Sequence, residues 1–94
     1  MDARVRRAIL TKIDEAISNM SEVIRIRESL AGIPVDDEDD FEFGIAVGRI
    51  YNSFHYQTRR ILKRNATEEE FMDFLAILSD RSQEIRKSLS RCQQ

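Results

Sequence analysis

Apolar residues recur at steps of three and four over three long stretches of the chain, and each stretch predicts an amphipathic helix. The first covers about 3–31, where Leu10, Ile13, Ile17, Met20 and Ile24 line one side. Val5, Ile9, Ala16, Val23 and Leu30 widen that stripe to roughly 160°, enough to touch two neighbouring helices. At a rise of 1.5 Å per residue such a rod is roughly 40 Å long. Gly32 and then Pro34 predict its end. The second helix is expected over about 40–64, with Phe43, Val47, Ile50, Phe54 and Ile61 as its core stripe. The third is expected over about 68–90. Phe71, Leu75, Leu78, Ile85 and Leu89 share one of its faces, Phe74 stands beside them and Ser82 interrupts the seam.

The connections are short. Residues 33–39 read as an acidic loop, and Asn65-Ala66 joins the second and third helices. Thr67-Glu68-Glu69-Glu70 spells a capping box, in which hydroxyl and carboxylate each take the other residue's backbone N–H. Short connections make successive helices antiparallel neighbours. The expected fold is therefore all-α, an up-down-up three-helix bundle forming a single domain over 1–94, with a frayed tail at 91–94. Ile26, Ile45, Met72 and Ile77 lie off their main stripes. Four such residues predict a second buried surface, and hence a homodimer that merges two bundles into a larger one.

Composition narrows the chemistry more than it directs it. A chain of 94 residues with three Gly, one Pro and 34% charged residues fits few, long helices. No apolar run approaches the roughly 20 residues that span a bilayer, so no membrane partner is expected. The single Cys92 excludes a disulfide framework and a cysteine zinc site. A cytoplasmic protein without cofactor or metal is the expectation. Charge is segregated under a net of −2: residues 33–44 carry six acids and no base, and residues 45–65 carry five bases and no acid. That order complements the dipole of the second helix.

Away from its core stripe, the second helix gathers Gly44, Gly48, Asn52, His55 and Arg59 into one band roughly 80° wide. Each glycine inside a helix costs about 1 kcal/mol relative to alanine. Their G-x-x-x-G spacing suits close packing, either against the first helix or against a symmetry mate. This band is the candidate interaction face. The segment Arg49-Ile-Tyr-Asn-Ser-Phe-His55 resembles the arginine–histidine motif of HEPN-family ribonucleases. The resemblance implies catalysis by Arg49 and His55 at a dimer cleft. Six residues put the two side chains about 120° apart on a helix, so they need a second subunit to converge.

Two charged segments complete the candidates. Tyr56, Arg59, Arg60, Lys63 and Arg64 could serve a nucleic acid, the cations on phosphates and the tyrosine under a base. Carboxylates would oppose this unless they lie at the other end of the molecule. The run Asp36–Asp40 lacks the alternating ligands and turn glycine of a calcium loop, and reads instead as a solvated patch or a dock for a basic protein partner. No nucleophile elbow, phosphate loop or metalloprotease helix is present. The leading expectation is a non-enzymatic, self-associating interaction module. A nucleic-acid-binding subunit is the alternative, and a HEPN-like ribonuclease stands behind both.

Overall fold

The computed structural model describes residues 1–92, with side chains through Leu89. Four helices pack together: α1 (Ala3–Ser18), α2 (Met20–Ser29), α3 (Glu38–Leu62) and α4 (Glu68–Cys92). The molecule measures 40 × 23 × 18 Å. No described helix is long and apolar enough to cross a membrane.

The first predicted helix is two helices. Asn19 interrupts it with φ −125° and ψ 35°, outside the helical region. Around it the ladder tightens to i→i−3 bonds, Asn19 N–H to the Ala16 carbonyl and Glu22 N–H to the Asn19 carbonyl. The Asn19 amide donates to the Glu22 carboxylate, a local bond of the kind that draws asparagine out of helix interiors. The apolar spacing runs on across the break, and Ile9, Ile13, Met20 and Val23 all reach the same core. Gly32 also differs from expectation. The helix ends at Leu30 by i→i−3 bonds to Arg27 and Glu28, and no described glycine has a positive φ.

α1 and α2 run one after the other, antiparallel to α3. Arg4 lies near Ile61, Glu22 pairs with Arg49 at 3.5 Å, and Arg27 binds Glu42. The Glu42 side chain is fully buried, and Arg27 satisfies it while also reaching Glu38 at 3.4 Å. Arg27 thus fastens the end of α2 to the start of α3. That start lies earlier than the spacing predicts. Asp37 caps it, accepting from the Asp40 N–H at 3.0 Å, so the last two residues of the expected loop, Glu38 and Asp39, are in the first turn of α3. At the other end α3 stops at Lys63, whose φ of 59° is left-handed. Lysine there bears a strain that glycine would not.

The capping box forms as the sequence predicts. Thr67 N–H donates to Glu70 Oε1 at 2.8 Å, and Glu70 N–H donates to the Thr67 hydroxyl at 3.2 Å. α4 continues to Cys92, so the helical part of the chain exceeds the predicted 90. Residues 93–94 of the expected frayed tail lie outside the described residues.

The core face of α4 is rotated from the predicted stripe. Phe74, Ile77, Ile85 and Leu89 are buried, Phe71 and Leu78 only partly so, and Leu75 is 44% exposed. Ile77, expected off the core, is inside it. α3 is similarly turned: Ala46, Ile50, Phe54, Gln57 and Thr58 are buried, while Phe43, Val47 and Ile61 border them. The hinge of this packing is a stacked pair, Phe54 on Phe74, with ring centroids 4.5 Å apart. Such a pair adds about 0.5–1.5 kcal/mol to the burial itself.

Candidate functional site

α3 presents two unlike surfaces on either side of its core stripe, and both contain residues singled out in the sequence. The first lies between α3 and α4. Two contacts set the register there. Tyr51 meets Phe71 and Phe74 at 6.2 and 6.3 Å between centroids, and the Arg86 guanidinium lies 4.9 Å over the Phe43 ring. Gly44 and Gly48 lie on α3 between these two levels. The glycines are exposed, and a Cβ added at either would meet no atom within 4 Å among the described residues. The expectation that they pack closely against the first helix is therefore overturned. Their side of α3 points away from α1 and α2, because Glu42, Ala46 and Ile50 already fill that contact.

Between Asp40 and Arg86 at one end and Arg59 and Glu68 at the other, the side chains along this band are uncharged. On α3 they are Tyr51, Asn52 and His55; on α4 they are Met72, Leu75 and Ser79. Tyr51 is 45% exposed and Met72 61%. The ion pair of Arg86 with Asp40 closes one end of the band. His55 is half-buried, with its ring against Tyr51 at 4.8 Å and Phe54 at 5.0 Å. Arg59 is exposed at the far end of the predicted face. It lines a hollow with Lys63, Arg64 and Asn65 rather than joining the glycines.

The second surface lies between α1 and α3. An open groove of about 720 Å³ is lined by Arg4, Arg7, Lys12 and Arg60, with Tyr56 and one carboxylate, Glu15, among its other walls. A smaller hollow of about 180 Å³ shares Lys12 and Glu15 and continues to Asn19 and Arg49, making one furrow along the two helices. Arg4 is held by Asp2 at 3.1 Å and Lys12 by Glu15 at 3.1 Å, both at the surface. The Arg60 Nε donates to Gln57 at 2.9 Å.

The predicted basic segment is thus divided. Tyr56 and Arg60 belong to the furrow, and Arg59 and Lys63 do not. Arg64 turns to α4 instead, gripping the Glu70 carboxylate with two bonds of 2.8 and 3.1 Å. That grip, together with the Thr67 N–H, holds the Glu70 carboxyl down at about 2. What the sequence misses is the contribution of α1: Arg4, Arg7 and Lys12 sit opposite residues some fifty positions later, and no local signal joins them.

Arg49 and His55 do not come together within the subunit. One pairs with Glu22 on the α2 side and the other lies among aromatic rings on the α4 side. No group of three or more His, Cys, Asp or Glu side chains suited to a metal occurs among the described residues. The acidic run is largely engaged: Asp37 in the cap, Glu38 with Arg27, Asp40 with Arg86. Set against models of protein families, curated proteins and solved structures, the chain has no match.

Proposed function

We propose that this chain is a non-enzymatic assembly module that pairs with a second copy of itself through the band between α3 and α4. The observation that carries this reading is the uncharged, glycine-indented strip on a chain in which 34% of residues are charged. Interfaces are depleted of charge at their centres and enriched in tyrosine and methionine. A partner protein of opposite charge has nothing to read here, whereas a two-fold axis needs only a surface that fits itself. Gly44 and Gly48 of one copy would then let the α3 backbone of the other approach closely. The helical cost of two glycines, about 1 kcal/mol each, gains a purpose in that contact.

The test is the mass in solution as a function of concentration, by sedimentation or light scattering. The expected result is a rise from 11.0 kDa toward twice that value at micromolar concentration. Gly48→Leu should hold the protein at the lower mass while its helical signal persists, because a Cβ at this position meets no described atom within 4 Å in the single subunit. A wild-type protein that stays monomeric up to high micromolar concentration would discard the reading.

A further inference from the structure

We propose that the furrow between α1 and α3 binds single-stranded nucleic acid, with phosphates on Arg4, Arg7, Lys12 and Arg60 and an unpaired base on the ring of Tyr56. This site does not depend on self-association. It also differs from the basic segment that the sequence picks out, because three of these four cations, Arg4, Arg7 and Lys12, come from α1.

Three observations converge on a strand rather than on a small anion. The furrow is long. From Arg4 to Asn19 it follows α1 for about 22 Å, the reach of a few nucleotides and much more than one phosphate. Its charge is one-sided: four cations face one lining carboxylate in the larger groove, and Arg49 adds a fifth cation in the smaller hollow, in a chain whose net charge is −2. Its one aromatic residue, Tyr56, is 56% exposed and so has a ring to offer for stacking.

The carboxylates that argue against a polyanion lie elsewhere. Asp36–Asp40 lie at and just before the start of α3, the opposite end of the helix from Arg60, where Glu38 pairs with Arg27 and Asp40 with Arg86. Glu68, Glu69 and Glu70 begin α4, which does not line the furrow. Lys12 meets Glu15 in a single exposed contact, worth little, whereas Asp2 grips Arg4 with two bonds of 3.2 and 3.1 Å that a phosphate must displace. A duplex suits the site less well, because its bases are stacked away from a tyrosine ring on a helix surface.

The measurement is fluorescence anisotropy of a labelled 12-nucleotide oligothymidylate with the full chain. Binding should weaken as salt rises from about 50 to about 200 mM, with a logarithmic slope near −3 for four phosphate contacts at about −0.7 each. Tyr56→Ala should weaken binding about tenfold with the slope unchanged, since stacking releases no counterions. Arg7→Gln and Arg60→Gln should each weaken binding and flatten the slope by about 0.7. Arg25→Gln, on α2 and outside the furrow, should change neither. All four positions are exposed, and an unaltered melting temperature confirms that each variant is folded. No binding at about 50 mM salt, equal affinity for a duplex of the same length, displacement by millimolar inorganic phosphate, or indifference to Arg7→Gln and Arg60→Gln would each overturn the proposal.

Discussion

The two sides of α3 differ in almost every property that a solvent can sense. Toward α4, beyond the exposed Asp40–Arg86 pair, lies a stretch of uncharged side chains indented by Gly44 and Gly48. Toward α1 it is a furrow with Arg4, Arg7, Lys12 and Arg60 along its walls. The two directions stand about 140° apart around one helix, so neither surface blocks the other. The contrast teaches that the core stripe of α3 is a partition. Its buried residues hold α1 on one side and α4 on the other, and the chemistry of each flank is free to specialise. On the proposed readings, protein concentration is the variable that tests the first flank, and ionic strength the variable that tests the second.

The largest effect should come from breaking the partition itself. Phe54 is fully buried and stacked on Phe74, so Phe54→Ala is expected to cost about 3–5 kcal/mol in urea denaturation. In a chain this small that loss should remove concentration-dependent mass and oligonucleotide binding together. Leu75→Glu acts on one flank only. A carboxylate on the exposed band should weaken self-association by tenfold to a hundredfold in sedimentation and leave oligonucleotide affinity as it was.

Glu70→Gln touches neither flank and sets the scale for a purely structural change, about 1 kcal/mol at neutral pH. Because Arg64 and the Thr67 N–H depress the Glu70 carboxyl from 4.5 to about 2, its stabilisation is complete above about pH 5. It is lost as the pH falls through about 2. The difference between wild type and variant in thermal melts should follow that course. Gly48→Ala is the finest probe. It should raise the stability of the single subunit by up to about 1 kcal/mol, since the methyl meets no neighbour, and yet loosen the dimer.

What could be read from the sequence was what is local. The Thr67–Glu70 box spans four residues and needs no tertiary information, and it forms as expected. The three periodic stretches gave an all-helical architecture in the right order. Asn19 was not legible as a break, because one residue of modest helix propensity is usually absorbed by a continuing apolar stripe. The rotation of α4 was illegible for a related reason. Phe71, Leu75 and Leu78 make one plausible stripe, Phe74, Ile77 and Ile85 another, and only the positions of α1 and α3 choose between them. The same choice leaves Leu75 on the outer band. The furrow was hidden most deeply, since it pairs Arg4 and Arg7 with Arg60, and no periodicity within one helix reports on another.

The seam at Asn19 has a consequence for how the molecule breathes. It leaves α2 only ten residues long, below the length at which an isolated helix persists in water. That short helix is held in shape by what it leans on, chiefly α3 through the Arg27 clasp on Glu42. Amide deuteration should therefore sweep through Met20–Ser29 as a single early block, well before it reaches the middle of α1.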